Sequence, residues 1–181
     1  TDNAEGTVRV AGVRTATNGQ INAASQRCDN SGSISLTTNA KTAYVAGVTV
    51  QDGATQIYAN STGNVTYTYN GTSTPTVYAS LGVAYRSGST ATTTGTYGGT
   101  LTLNNVTDDA TCHCGLLSGY AMSNTGMKLT SLTIKKGTVI NGVTVSDVET
   151  DAGYYKSRSY LMGSATPTDA VLTLENISLA E

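Results

Sequence analysis

The stretch 76-TVYASLGVAYR-86 decides how this chain is read. Val77, Ala79, Leu81, Val83 and Tyr85 share one parity, with Thr76, Tyr78, Ser80 and Ala84 on the other. That period of two marks a strand with one face in a core, and so long a run predicts a single central strand. Pro75 stands just before it, where a missing N–H does least harm. Working upstream, Val65, Tyr67 and Tyr69 alternate with Thr66 and Thr68 and stop at Asn70-Gly71, while Tyr44, Ala46, Val48 and Val50 alternate up to Asp52-Gly53. Both runs end in strong turn pairs. Downstream, Arg86 to Thr96 is low in complexity and short of apolar residues, which predicts a surface loop or an edge strand. Beyond it lie strand candidates in TLTLNNV (Leu101, Leu103), MKLTSLTI (Leu129, Leu132, Ile134), TVINGVTVSDV (Val143, Val145) and AVLTLENISL (Leu172, Leu174). A parity slip inside MKLTSLTI predicts a bulge. The one candidate helical turn is CGLLSGYAMS, residues 114–123.

Composition supports an all-β chain. The 181 residues include 33 Thr and 17 Ser, no Phe or Trp, and only 12% charged side chains, against roughly 25% in ordinary soluble domains. β-Branched Thr fits a pleated sheet better than a helix, and a core without Phe or Trp draws on the 11 Tyr. Short strands separated by Gly and Asn turns predict an immunoglobulin-like or jelly-roll antiparallel sandwich with an N-terminal extension strand. The alternative is a parallel β-helix, suggested by the related phrases LTLNNVT and LTLENIS; it ranks second because no fixed period near twenty residues runs through the chain. Residues 1–25 read as extension and linker, and 26–181 as the sandwich domain.

A net charge of −2 without a Lys/Arg cluster argues against a nucleic-acid groove. No apolar run is long enough for a membrane-spanning helix. A chain starting at Thr1 is read as a mature secreted protein. Asn60, Asn64, Asn70, Asn105 and Asn176 each begin an N-x-S/T triplet, no more than chance supplies in so Asn-, Ser- and Thr-rich a chain. Cys28, Cys112 and Cys114 flank or precede the single His113. In an oxidising compartment Cys28 pairs with Cys112 or with Cys114, leaving one thiol over. A zinc site from the same residues is disfavoured, because a strand sends Cys112 and Cys114 to one face and His113 to the other. No metal or other cofactor is expected. Nor is catalysis: His113 has no nucleophile context, and the acids Asp108, Asp109, Asp147, Glu149 and Asp151 read as solvated turns. Among Tyr67, Tyr69, Tyr78, Tyr85, Tyr97, Tyr154 and Tyr155, a share must serve the core; Tyr154 and Tyr155 are the candidate glycan contacts.

The opening segment alternates as well, with Gly6, Val8 and Val10 on one parity and Thr7 and Arg9 on the other. A terminal strand before a polar linker either returns to its own sheet or completes a neighbour's by β-augmentation. Gly6-Thr7-Val8-Arg9-Val10-Ala11-Gly12, a Cys downstream and the closing SATPTDAVLTLEN strand resemble the chaperone-usher pilins. That resemblance implies incomplete immunoglobulin-like sandwiches filled by the extension of the next subunit, with Gly6, Val8 and Val10 as the inserted residues. The expectation is therefore a non-enzymatic extracellular subunit that polymerises with its own copies through strand exchange. A carbohydrate-binding or adhesive module, or a virion surface protein, is the alternative.

Overall fold

Between one alternating segment and the next, the chain turns a corner instead of reversing. The computed structural model describes residues 6–13, 28–52, 56–86, 91–107, 110–122, 127–135, 137–140, 143–144, 162–166, 172–175 and 178–180. In chain order the first coil carries β1 (Thr7–Ala11), β2 (Cys28–Asn30) and β3 (Ile34–Thr38). The second carries β4 (Thr42–Ala46), β5 (Thr49–Asp52), β6 (Gln56–Ser61) and β7 (Val65–Tyr69), and the third β8 (Thr76–Ser80), β9 (Val83–Arg86), β10 (Ala91–Tyr97) and β11 (Thr100–Asn104). The fourth has β12 (Thr111–Gly115), β13 (Ser118–Met122), β14 (Met127–Lys135) and β15 (Val139–Ile140), closed by β16 (Val143–Thr144). Last come β17 (Met162–Thr166), β18 (Leu172–Glu175) and β19 (Ser178–Ala180).

Each strand pairs with its counterpart one coil away. The first sheet runs β1-β4-β8-β12 and the second β5-β9-β13-β17. The third runs β2-β6-β10-β14-β18, with β19 also on β14, and the fourth β3-β7-β11-β15-β16. Every pairing is parallel except the two-residue β15–β16 ladder. This is a parallel β-helix, and the antiparallel sandwich expected from the sequence is corrected to the architecture ranked second. The alternation itself was sound; what misled was the assumption that successive strands pair. Here Thr7, Thr42, Thr76 and Thr111 share one ladder, so the repeat is about 35 residues, well beyond the twenty-residue period sought. The connection that parallel partners require is a full turn of the coil, with three other strands between β4 and β8 and between β8 and β12.

The core fills the inside of the coils. Val45, Val77, Ala79, Val65, Leu101, Cys114 and Ile134 are buried, as are the full rings of Tyr67 and Tyr97. Tyr67, Tyr69 and Tyr97 do core work, as a chain without Phe or Trp requires. Polar side chains clip the third and fourth sheets between coils. Thr96 N donates to Asn60 Oδ1 at 2.8 Å, Thr100 N donates to Asn64 Oδ1 at 2.9 Å, and Asn60 N donates to Asp29 Oδ1 at 3.3 Å. Two of the N-x-S/T asparagines thus carry structural hydrogen bonds.

Several local expectations change. The long run from Val77 to Tyr85 is two strands, β8 and β9, broken at Leu81-Gly82. CGLLSGYAMS is the same corner one coil later, between β12 and β13, and not a helical turn. The hydroxyl-rich segment after Arg86 contains β10, which lies inside the third sheet between β6 and β14. The expected bulge in MKLTSLTI is present: Thr93 pairs Leu129 but Gly95 pairs Leu132, one residue extra on β14. Of the residues expected to insert into a neighbour, Val8 and Val10 lie in the chain's own first sheet, opposite Ala43 and Val45 and packed on the core, while Gly6 stands just before β1, its carbonyl accepting from Thr42 N at 3.4 Å. The boundary expected near residue 25 falls outside the described residues.

Candidate functional site

Outward positions of the first sheet form two columns. One is Thr7, Thr42, Thr76 and Thr111; two residues along, the other is Arg9, Tyr44, Tyr78 and His113. On the second sheet Tyr85 and Tyr120 are ladder partners, with Gln51 on the rung before and Ser164 on the rung after. The corner between the two sheets brings the columns together. Its residues Val48, Leu81 and Leu116 are fully buried, and the aromatic rings stand over the outside of the bend.

The rings make a herringbone. Tyr44 and Tyr78 stack at 4.6 Å between centroids with planes 9° apart, and Tyr78 stacks on His113 at 4.9 Å and 19°. Across the corner Tyr85 stacks on Tyr120 at 5.3 Å and 12°. The columns meet edge to face: Tyr78 lies 5.6 Å from Tyr85 and 5.9 Å from Tyr120, Tyr44 lies 6.2 Å from Tyr85, and His113 lies 5.0 Å from Tyr120. Arg9 closes the first column, its guanidinium carbon 5.1 Å from the Tyr44 centroid, within cation–π range. These separations follow from the ladder, whose strands lie about 4.8 Å apart. Rings set at that step and nearly parallel turn much of their faces toward one another. Solvent is therefore offered ring margins, phenol hydroxyls, the imidazole and the guanidinium.

Crowding shifts the titrations. Burial lifts the Tyr78 phenol above its usual value, with the phenols of Tyr44, Tyr85 and Tyr120 adding to the rise. Tyr85 is raised by burial and then by Tyr120 and Tyr44. Burial lowers His113. Both directions favour the uncharged forms of His113, Tyr78 and Tyr85 at neutral pH, and the two phenols there keep their O–H groups as hydrogen-bond donors. Among the described side chains it holds no carboxylate.

Of the residues singled out from sequence, Tyr78 and Tyr85 belong to this strip. Tyr154 and Tyr155, like Asp108, Asp109, Asp147, Glu149 and Asp151, lie outside the described residues. β12 sends Cys112 and Cys114 into the core, both buried, and His113 outward. The backbone of Cys28 sits in the third sheet opposite Ala59. No group of three His, Cys, Asp or Glu capable of holding a metal ion occurs among the described residues, and no helix there is long and apolar enough to cross a membrane. Sequence reasoning missed Arg9, Tyr44 and Tyr120 and weighed His113 only as a zinc ligand or a catalytic base. The available signal was the recurring Thr-x-aromatic spacing at Thr42, Thr76 and Thr111, each followed two residues later by a ring.

Fold and site together define a parallel β-solenoid with an outward aromatic strip. No protein-family model, curated protein or solved structure matches the chain.

Proposed function

We propose that the protein is a secreted, non-enzymatic glycan-binding module of an extracellular surface, and that the strip of Tyr44, Tyr78, His113, Tyr85 and Tyr120 is its contact face. The observation that carries this reading is the outward herringbone over the corner of the first two sheets. Half-buried rings with hydroxyl tips combine apolar margin and hydrogen-bonding capacity, which is what the mixed C–H and O–H surface of a sugar requires. The neighbouring Thr column extends the same chemistry. A ladder step is close to the length of one pyranose along an extended chain, so a linear glycan laid parallel to the solenoid axis meets one rung per sugar. The low-charge, hydroxyl-rich composition supports an extracellular setting. Strand exchange between copies presupposes a sandwich groove; Val8 and Val10 pair in the chain's own first sheet, which supports carrying the glycan reading forward.

The test is a glycan array read alongside intrinsic tyrosine fluorescence, which the absence of Trp leaves unobscured. Tyr44→Ala and Tyr120→Ala are expected to weaken binding by about tenfold each while the far-ultraviolet dichroism of the sheet is kept. Binding to an array glycan that neither substitution alters would place the site elsewhere.

A further inference from the structure

We infer that the ligand of this strip is a linear polyuronate, one carboxylate per sugar, lying along the column from Arg9 to His113. The inference rests on the glycan-binding reading and narrows its substrate. Four features of the strip point the same way. First, its outward groups are donors: the guanidinium of Arg9, the phenols of Tyr44 and Tyr78, the imidazole of His113 and the hydroxyls of Thr7, Thr42, Thr76 and Thr111. Second, among the described side chains no carboxylate stands on either outward face to repel an anion. Third, these donors recur at the ladder step, so that the column spans roughly 14 Å from Arg9 to His113. A polymer with an anion on every sugar meets a donor at every rung. Fourth, the permanent cation is an arginine, whose planar fork matches a carboxylate in two parallel bonds. It is also pre-aimed, because the Tyr44 ring beneath it restricts where the guanidinium can go. A densely sulfated chain would need a cluster of cations, and the described side chains of the strip hold a single one.

Three oligosaccharides of equal length separate the outcomes: oligomannuronate, β-1,4-mannooligosaccharide, which differs from it in the C5 substituent, and a sulfated galactan oligosaccharide. With the full chain in low-salt buffer, oligomannuronate is expected to bind about tenfold more tightly than the mannooligosaccharide. Arg9→Gln should erase most of that preference by weakening oligomannuronate several-fold more than mannooligosaccharide, Arg9→Lys should recover part of it, and added salt should compress it. Arg9 is exposed, so these variants are expected to fold; dichroism checks that they do. Equal affinity for the charged and neutral mannose oligomers would overturn the polyuronate inference and leave the glycan reading standing. Tighter binding of the sulfated galactan would overturn the choice of carboxylate. Failure of all three to bind would overturn the polyuronate inference, and the lack of any binder on the glycan array would overturn the glycan reading as well.

Discussion

Tyr78 holds the aromatic strip together, since it touches Tyr44, Tyr85, Tyr120 and His113 at once. Aromatic pairs add about 0.5–1.5 kcal/mol each beyond the area they bury, and those at one site are not additive. Tyr78→Ala should therefore cost about 2–3 kcal/mol in urea denaturation, more than Tyr44→Ala at the edge of the cluster. Titration gives a second test. Because burial holds His113 below its usual 6.5, the unfolded chain takes up that proton first as pH falls. Its contribution to stability is intact above about 6.5 and is lost on the way down toward the lowered folded-state value. Tyr78 and Tyr85 work in the opposite direction: their phenols resist ionisation in the fold, so stability declines as pH climbs past about 10. Urea midpoints measured across both ranges should show the two losses. His113→Gln should abolish the acid one and spare the alkaline one.

Corners explain which parts of the elements were legible beforehand. Alternation along 76-TVYASLGVAYR-86 predicts one strand where the chain has two, yet picks out four buried positions, Val77, Ala79, Leu81 and Val83. It placed Tyr85 with them because strict parity assumes a straight strand. At Leu81-Gly82 the chain bends, Ala84 goes inward, and Tyr85 emerges on the outer face. The same slip at Gly47 moves Tyr44 outward although it counts in step with Ala46, Val48 and Val50, all buried. A short-period pattern cannot register a bend that resets its own phase, and so two of the strip's five rings, Tyr44 and Tyr85, fall on a core parity in the sequence. Glycine is needed at the corner because a Cβ on Gly47 would collide with the Leu81 carbonyl and the Ser61 hydroxyl. It is needed at the bulge because Gly95 has φ of +144° and its Cβ would strike the Ala59 carbonyl. Gly95→Ala should cost about 2–4 kcal/mol and loosen amide-exchange protection first in β10 and β14.

At the scale of the whole molecule, the coil length was the quantity the sequence concealed. Positions on one ladder share size and polarity more than identity: Val8, Ala43, Val77 and Cys112 occupy one inward column. Among the described ladders only the Thr column repeats letter for letter, in TVRVAG, TAYVAG, TVYASLG and TCHCGLLSG. Register makes a strong prediction about deletions. Removing residues 42–75 joins Lys41 directly to Thr76 and should leave a shorter solenoid that keeps its sheet dichroism and melts cooperatively at a lower temperature, whereas removing residues 42–61 should abolish the cooperative transition. An antiparallel sandwich would lose its fold in either case. The Thr7–Thr42–Thr76–Thr111 ladder carries one last implication, for how such a protein changes over generations. Tandem duplication of a single coil would insert one more ring into the outer row without disturbing any residue already there. Reach along an extended ligand could thus grow in increments of one sugar, through copying of gene segments in place of refinement of side chains.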